Sequence, residues 1–192
     1  MGAAEKIYLT PQAYLELERK SFIKHEYLDG KIFDMSGASI PHNTISINLT
    51  TDVSNKLKGK NCRPFGSDLR IHIPVNSLFT YPDLSIICDE IETTDDKFDT
   101  VTNPTVIFEI LSASTRDYDL GKKFMLYRQI PSLKHYVMID SEEVRVIIYS
   151  RNNDETWTLK EMTDINAFFK ISAIAISLDL QTIYENVTFR TI

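Results

Sequence analysis

Two apolar segments of the chain each contain one carboxylate, and this pattern restricts the possible fold more than any other feature. Asp83 opens the strand-like segment 81–88, and Glu109 interrupts the segment 105–111. A carboxylate within β-branched and aromatic residues is costly to bury unless it is paired or binds a metal. If the two segments pair as antiparallel strands, the start of the first lies beside the end of the second. We therefore expect both side chains to meet at one rim of a sheet.

A lysine follows the second carboxylate at a spacing that returns it to the sheet. Lys123 lies in a predicted helix for which Asp117 or Asp119 is the N-cap. The spacing i+3 and i+4 places Lys123 on one stripe with Leu120, Phe124 and Tyr127. Lys122 points about 100° away, towards solvent. We expect the ammonium group of Lys123 to lie beside the two carboxylates.

The residue types at this rim suit a hard divalent cation. Mg²⁺ and Mn²⁺ prefer carboxylate, carbonyl and water oxygens as ligands. Asp83, Glu109 and the main-chain carbonyl of Ile110 provide such a set. A metal in this position activates water and offsets charge on a phosphate, and a lysine beside it stabilises the transition state. The pattern predicts phosphodiester chemistry, with Asp83, Glu109 and Lys123 as catalytic residues.

Each of these three residues also has a purely structural interpretation. An acid at the start of a strand, such as Asp83, is usually a solvated end residue. A single lysine such as Lys123 more often extends its charge to solvent along an apolar stem. Glu109 is harder to explain in this way, because apolar residues precede and follow it. The combination of all three favours a site.

Two residues from the N-terminal third are further candidates. Glu26 lies in a predicted hairpin with Asp29-Gly30 as its turn, a strong two-residue hairpin signal. It is either an additional ligand or catalytic acid, or a surface acid paired across the strands. His42 precedes a predicted helix, where it either contacts phosphate and transfers protons or belongs only to the cap region.

Two aspartates complete the set of candidates. Asp68 lies on the predicted strand before the one that Asp83 opens, and it either joins the acidic cluster or pairs with Arg70. Asp119 lies one turn before Lys123 and either contributes to the site or only pairs with the lysine.

The order of predicted elements indicates a mixed α/β or α+β fold. Helices are predicted from Pro11 to about Arg19 and from about Pro41 to Leu57. Strands are predicted at 62–73, 81–88, 105–111, 133–140, 144–150 and 155–162, with a last strand or irregular edge at 171–180. Segment 41–140 then follows the order helix, three strands, helix, strand, with helices packed on a central sheet. We expect a single domain over residues 1–192, with its core at about 41–140.

Bulk properties exclude several classes of protein. The chain has 43% hydrophobic and 25% charged residues, as in ordinary soluble proteins. No apolar run approaches the roughly 20 residues of a membrane helix, and no signal peptide is visible, so we expect a cytoplasmic protein. The net charge of −6 argues against a non-specific nucleic-acid coating protein but not against a nuclease. Cys62 and Cys88 show no C-x-x-C spacing and are predicted to be reduced packing residues.

Several separated motifs resemble those of the Uma-two family. They are Tyr-Pro-Asp (81–83), Phe-Glu-Ile-Leu-Ser-Ala-Ser-Thr (108–115), Tyr-Asp-Leu-Gly-Lys-Lys-Phe-Met-Leu-Tyr (118–127), His-Glu-Tyr-Leu-Asp-Gly (25–30), Pro-His-Asn (41–43) and Ser-Asp-Leu-Arg (67–70). The resemblance covers about residues 10–180, which is nearly the whole chain. Members of this bacterial family are described as restriction-endonuclease-like enzymes.

This family is similar to the PD-(D/E)XK nuclease superfamily, and the resemblance implies a fold and a ligand set. The implied fold is mixed α+β, with an αβββαβ core, an N-terminal helix and hairpin, and a C-terminal β meander. The implied metal ligands are Asp83 and Glu109. The superfamily pattern has a lysine two residues after the glutamate, where this chain has Leu111. The resemblance suggests that Lys123 on the following helix replaces it.

Three functional hypotheses follow. The first is an endonuclease that depends on Mg²⁺ or Mn²⁺ and hydrolyses DNA, or alternatively RNA, as a homodimer with one site for each strand. The second is a catalytically weak or inactive relative that binds nucleic acid or a protein, which Leu111 and the acidic net charge favour. The third is a glycosidase with paired acids, for which the sequence shows no aromatic sugar platform.

Overall fold

The structure is a computed structural model that describes residues 8–35, 37–113 and 115–189. The strands are β1 (His25–Leu28), β2 (Lys31–Asp34), β3 (Cys62–Gly66), β4 (Arg70–Ile73), β5 (Leu78–Thr80), β6 (Leu84–Cys88), β7 (Thr100–Val101), β8 (Val106–Leu111), β9 (His135–Asp140), β10 (Val146–Arg151), β11 (Trp157–Met162), β12 (Phe168–Ile171) and β13 (Ile176–Asp179). The helices are α1 (Pro11–Glu18), α2 (Ile40–Lys56), α3 (Arg116–Tyr118), α4 (Phe124–Tyr127) and α5 (Leu180–Ile183), and a π-helical segment, Asp119–Lys123, joins α3 to α4.

The larger sheet has the strand order β11-β10-β9-β8-β6-β3 and contains the predicted core. Its neighbouring strands are antiparallel except β8 and β9, which are parallel. Parallel neighbours need a crossover connection, and the helical segment from α3 to α4 provides it. The order α2, β3, β6, β8, helical segment and β9 is the αβββαβ order that the sequence predicts. The fold is therefore of the mixed α+β class.

A regular apolar stripe attaches α2 to one face of the larger sheet. The Ser39 side chain accepts a hydrogen bond from the His42 N–H and caps the first turn. Buried residues recur at every fourth position, as predicted: Ile45, Leu49, Val53 and Leu57. They share a hydrophobic core with the residues of β8 that point to this face, such as Phe108. Phe124 and Tyr127 of α4 are buried in a second core on the opposite face of the sheet.

The smaller sheet has the order β2-β1-β5-β4-β7. Ile71, Ile73 and Leu78 of this sheet are buried in the same core as Tyr127, so the two sheets pack together on the α4 side. The predicted hairpin is confirmed as β1 and β2, with Asp29 and Gly30 at φ values of 46° and 84°. Such positive angles at both central residues define the type I′ turn that matches the twist of two strands.

Two strand predictions are wrong where the chain passes between the sheets. Residues 62–73 are not one strand, because β3 belongs to the larger sheet and β4 to the smaller one. A tight turn separates the two strands, with the Leu69 N–H bonded to the Gly66 carbonyl. The segment 74–80, which lies outside the predicted strands, contains β5. Regular alternation of apolar residues begins only at Leu69, and Gly66, Ser67 and Asp68 are typical of a turn, so the sequence does contain a local signal of the break.

A disulfide bond joins Cys62 to Cys88, which corrects the prediction that both cysteines are reduced. The two residues lie directly opposite each other in the pairing of β3 with β6. Their proximity depends on the strand register, which spacing in the sequence does not give.

The C-terminal part adds an antiparallel meander to the larger sheet. β9, β10 and β11 form it, as the sequence predicts. The segment 171–180 is not a single strand, because β12 and β13 pair as a separate hairpin and α5 follows directly. Buried residues of this hairpin, such as Phe169 and Leu178, extend the core beneath α2. Within the described ranges, no helix has the length and apolar character needed to cross a bilayer.

Candidate active site

Asp83 lies where the chain passes from the smaller sheet into the larger one. It directly precedes β6, in which Leu84 pairs with Phe108 of β8. The same antiparallel register places Asp83 opposite Glu109, on one face of the sheet. Oδ2 of Asp83 accepts a hydrogen bond of 2.7 Å from the backbone N–H of Ile110. The predicted antiparallel pairing of the two segments is confirmed, and Asp83 is fixed to the strand that carries Glu109.

The start of α2 supplies a histidine to the same place. Nε2 of His42 lies 3.3 Å from Oδ1 of Asp83. The Ser39 cap positions His42, because it fixes the first turn of the helix. Nδ1 of His42 is buried and has no hydrogen-bond partner among the described residues. His42 therefore has one ring nitrogen on the carboxylate and one left for a water or a ligand atom.

Glu109 is the buried centre of the site, with only 5% of its surface exposed. Its Oε1 atom accepts a hydrogen bond of 2.8 Å from the Tyr127 hydroxyl and lies 2.9 Å from Nζ of Lys123. Burial raises the pKa of Glu109 to about 8, against the opposing effect of Lys123 and with the help of the charges of Asp119 and Asp83. Glu109 therefore retains a proton at neutral pH.

Lys123 lies among three carboxylates. Its Nζ atom is 2.9 Å from Glu109, 3.1 Å from Glu26 and 3.4 Å from Asp119. Burial alone would lower the pKa of Lys123, but the surrounding charges, Glu109 foremost, raise it well above its ordinary value. The ammonium group is therefore charged at neutral pH. Lys123 is buried and Lys122 is exposed, which confirms the orientation that the helical stripe predicts.

A π-helical turn carries both Lys123 and Asp119. Segments of this kind are rare and often occur at functional sites. Burial also raises the pKa of Asp119, although Lys123 opposes the shift. The predicted helix start is wrong, because the helical segment begins at Arg116 and both Asp117 and Asp119 lie inside it. Asp119 therefore faces the site and does not cap the helix.

Glu26 reaches the site from the smaller sheet. The Thr80 hydroxyl donates a hydrogen bond to Oε1 of Glu26, the same atom that approaches Lys123. Thr80 lies opposite Glu26 on the neighbouring strand, because the adjacent residues Tyr27 and Phe79 are paired in the antiparallel register. Glu109 of the larger sheet, Glu26 of the smaller sheet and Asp119 of the helical segment thus surround Lys123. Among the ion pairs of the described residues, none joins Lys123 to Asp83, so the ammonium group lies beside one of the two predicted carboxylates.

Asp68 is the one candidate that the structure does not bring to this cluster. Its side chain is 98% exposed and forms an ion pair of 3.0 Å with Lys24. The expected pairing with Arg70 is also wrong, because Arg70 lies 3.1 Å from Asp99 instead. The cause is the turn between β3 and β4, which directs Asp68 to solvent, whereas the sequence suggested a continuous strand.

Three residues of the site were not identified from the sequence. Tyr127 was assigned only to the apolar stripe, although its spacing of i+4 from Lys123 indicates the same face. Thr80 gave no signal, because it lies between two predicted strands, in a segment for which the sequence predicts neither a strand nor a site residue. The ring of Tyr118 lies 5.9 Å from Nζ of Lys123, and burial raises its pKa to about 12. Tyr118 therefore keeps a neutral hydroxyl at the edge of the site.

The oxygen atoms at Asp83 and Glu109 fit a hard divalent cation. The N–H and carbonyl of a strand residue point to the same side, so the Ile110 carbonyl faces the side on which its N–H bonds Asp83. These two carboxylates and one carbonyl are of the ligand type that Mg²⁺ and Mn²⁺ prefer. Within the described part of the chain, no three His, Cys, Asp or Glu side chains form a metal-binding group, so the carbonyl or water has to complete the set. Ligation also requires that Glu109 lose its proton.

Comparison with known proteins identifies the family. The model of the Uma2 family, described as "Putative restriction endonuclease", matches residues 11–181. The chain belongs to the Uma2 family. Two proteins of Synechocystis sp. are similar to it at 35% identity: the uncharacterized protein slr1290, over 94% of each chain, and the uncharacterized protein sll1609, over 92% of this chain and 99% of the other. The Uma2 motifs noted in the sequence are therefore a correct indication of family.

A solved structure supports the fold of this Uma2 chain. The crystal structure of a protein from Anabaena variabilis, described as "a putative nuclease belonging to DUF820", is similar with a TM-score of 0.75. The match covers 92% of this chain and 97% of that one, at 18% identity. The predicted restriction-endonuclease-like fold is confirmed.

Proposed function

We propose that this chain is an endonuclease that depends on a divalent metal and hydrolyses phosphodiester bonds of DNA. The single observation that carries the proposal is the arrangement at the sheet rim. Asp83 is fixed by the N–H of Ile110 at 2.7 Å, and the charged Lys123 lies 2.9 Å from the adjacent Glu109. Membership of a nuclease-like family supports a nucleic-acid substrate.

Each group in the site has a distinct role in this proposal. Asp83, Glu109 and the Ile110 carbonyl would hold Mg²⁺ or Mn²⁺, and the metal would supply an activated water and offset charge on the phosphate. Lys123 stabilises the negative charge that develops on the phosphate oxygens. Glu26 and Asp119 orient Lys123, because their carboxylates hold its ammonium group from two sides. His42 exchanges a proton through the ring nitrogen that has no partner in the described residues.

The wider proposal concerns the state and location of the protein. DNA is the favoured substrate and RNA the alternative. A homodimer provides two sites for the two strands of a duplex. We propose a cytoplasmic location, where a bacterial enzyme of this kind meets DNA and where the reducing conditions favour the thiol form of Cys62 and Cys88. We treat residues 1–192 as one domain with its core at about 41–140. Sedimentation of the full chain tests the homodimer.

A specific observation favours a second candidate, a binding module with little activity. Leu111 occupies the place of the usual lysine and is buried in the core, 1% exposed. Lys123, which replaces it, is already bound by three carboxylates. If those contacts persist with substrate present, the ammonium group is not free to act on a phosphate, and the chain binds nucleic acid or a protein without cutting.

A cleavage assay distinguishes the two candidates. Supercoiled plasmid and single-stranded DNA are incubated with the protein in Mg²⁺ or Mn²⁺, with EDTA as the metal-free control. We expect cleavage that EDTA stops and that Asp83→Ala and Glu109→Gln reduce about 100-fold or more. Asp164→Ala is the matched control, because this exposed carboxylate lies in the loop between β11 and β12. Cleavage that persists in Asp83→Ala, or no cleavage with any metal or substrate, contradicts the proposal.

A further inference from the structure

An exposed phenylalanine lies beside the carboxylate that the smaller sheet contributes to the site. Phe33 of β2 pairs directly with Glu26 of β1. Residues that are directly opposite in an antiparallel pair have Cβ atoms about 4.5–5.5 Å apart and point to the same face. The row continues from Phe33 through Glu26 to Thr80, and Glu26 contacts Lys123. Phe33 is therefore the outermost side chain, at the edge of the smaller sheet, in the row that leads to Lys123.

Phe33 presents a large aromatic side chain to solvent on the edge strand β2. Its side chain is 50% exposed, and every residue of β2 is exposed. On the other face of the hairpin, Tyr27 is 2% exposed and packs against Phe79 and Tyr14. The hairpin is thus anchored through one face, while the face that carries Glu26 presents an aromatic ring to solvent.

Two lysines share this face with Phe33. Lys31 lies two residues before it, and Lys24 lies two residues before Glu26, so the alternation of a strand places all four on one side. Lys31 is exposed, and its ammonium group has no ion-pair partner among the described residues. A cationic side chain next to an exposed ring, in line with the row that leads to an acidic site, matches the charge and the flat face of a nucleotide.

We propose that Phe33 stacks on an unpaired nucleobase of the scissile strand and that Lys31 contacts the adjacent phosphate. The proposal rests on the proposed function and specifies its substrate class, which is single-stranded or frayed DNA. Within an intact duplex, stacking on the neighbouring base pairs covers the faces of the bases, whereas an unpaired and unstacked base offers a face to an aromatic ring. The short distance from Phe33 to Glu26 corresponds to about one or two stacked nucleotides, at 3.4 Å each.

A binding assay tests, without cleavage, the stacking platform that Phe33 and Lys31 form in this proposal. The probe is a short fluorescein-labelled oligothymidylate, measured by anisotropy in EDTA, with its duplex with oligoadenylate as the comparison. We expect the full chain to bind the single strand more tightly than the duplex. Phe33→Leu should weaken single-strand binding about tenfold, because loss of an aromatic stacking partner removes that much affinity per base. Phe33→Trp should bind at least as tightly as the unmodified chain.

Matched variants control for non-specific effects. Phe168→Leu removes a phenylalanine of similar exposure, 53%, from β12 in the separate hairpin, and it should leave binding unchanged. Lys31→Gln should reduce the slope of log affinity against log salt concentration by about one. An exposed edge strand can instead pair with a second copy of the chain. Sedimentation of the unmodified chain and of the Phe33→Leu variant tests whether Phe33 lies in such a dimer contact.

The outcomes separate this inference from the proposed function. Equal affinities of Phe33→Leu and the unmodified chain, or no binding of oligothymidylate, overturn the platform even if metal-dependent cleavage is found. A dimer that Phe33→Leu dissociates also overturns it, because the ring then lies between two copies. Binding that depends on Phe33, together with a complete absence of cleavage, retains the platform and rejects the endonuclease.

Discussion

At the scale of single residues, the charges around Lys123 determine which groups of the site carry a proton. Three carboxylates and one ammonium group would carry a net charge of about −2 if all were ionised, in a place with little access to water. Burial makes that state costly, and the pKa of Glu109 rises to about 8 as a result. The cluster therefore keeps a proton on Glu109 while Lys123 stays charged.

Replacement of Lys123 tests the importance of its charge for stability. Lys123→Met leaves Glu26, Glu109 and Asp119 without their shared cation, and the loss of one partner of a buried pair costs about 3 kcal/mol or more. Urea denaturation at neutral pH measures the loss. Lys122→Met is the matched control, because this neighbouring lysine is exposed and its replacement should stay within about 0.5 kcal/mol. Equal effects of the two variants would contradict the charge balance described here.

The raised pKa of Glu109 predicts a dependence of stability on pH. The folded state holds a proton up to about pH 8, whereas the unfolded chain loses it near the ordinary value of 4.5. This contribution is therefore complete below about pH 4.5 and is lost as the pH rises towards 8. The free energy of unfolding, measured by urea titration at several pH values, should show this loss. In Glu109→Gln the same slope should be absent, and an unchanged slope would show that Glu109 is not its source.

The direction of Lys123 was predictable, whereas the contacts of its neighbours were not. Helical periodicity distinguishes Lys123 from Lys122, because it depends only on residues within two turns. The bond from the Tyr127 hydroxyl to Glu109 joins residues on a helix and a strand, and it depends on how the helix docks on the sheet. Periodicity does not contain that information.

At the scale of elements, the β1–β2 hairpin controls the position of Glu26. Its turn needs Gly30, which has a φ of 84°, and a Cβ atom there would overlap the ring of Tyr8. The turn was predictable because Asp-Gly between two alternating segments is a local signal. Gly66, Ser67 and Asp68 mark the turn between β3 and β4, but the pairing of these strands in different sheets was not predictable, because it depends on distant segments.

A pair of glycine variants tests the role of this hairpin. Gly30→Ala and Gly59→Ala each place a side chain at positive φ, 84° and 76°, which costs about 1–2 kcal/mol. Gly30→Ala should lose more stability because of the overlap with Tyr8, and it should also reduce cleavage because Glu26 moves. Gly59→Ala meets open space after α2 and should leave cleavage unchanged. Thermal unfolding and plasmid cleavage measure the two effects, and loss of cleavage in both variants would contradict the local role of the hairpin.

At the scale of the whole molecule, a cross-link and the site occupy opposite ends of one strand. Asp83 precedes β6, and Cys88 at the end of β6 is bonded to Cys62 of β3. The αβββαβ order was predictable because it follows from the sequence of elements along the chain. The disulfide and the second sheet were not, because both depend on pairing between distant segments.

Reduction of the disulfide should lower stability and leave the site intact. The bond closes a loop across a sequence separation of 26 residues, and such a loop contributes about 3 kcal/mol. The urea midpoint should therefore fall in the presence of a dithiol reductant, while cleavage below the transition should not change. The double variant Cys62→Ala with Cys88→Ala should not respond to the reductant. A loss of cleavage on reduction would show that the two ends of β6 are coupled.

The division of the site between two sheets limits how it can be transplanted. A designer who copies only β6, β8 and the helical segment into a new scaffold obtains Asp83, Glu109 and Lys123. That graft omits Glu26, which lies 3.1 Å from the lysine, and the threonine that orients it. The lysine would then face water on one side, and its neighbours would titrate differently. A transplant that keeps this arrangement of charges therefore has to include β1 and β5 together with the turn of the β1–β2 hairpin.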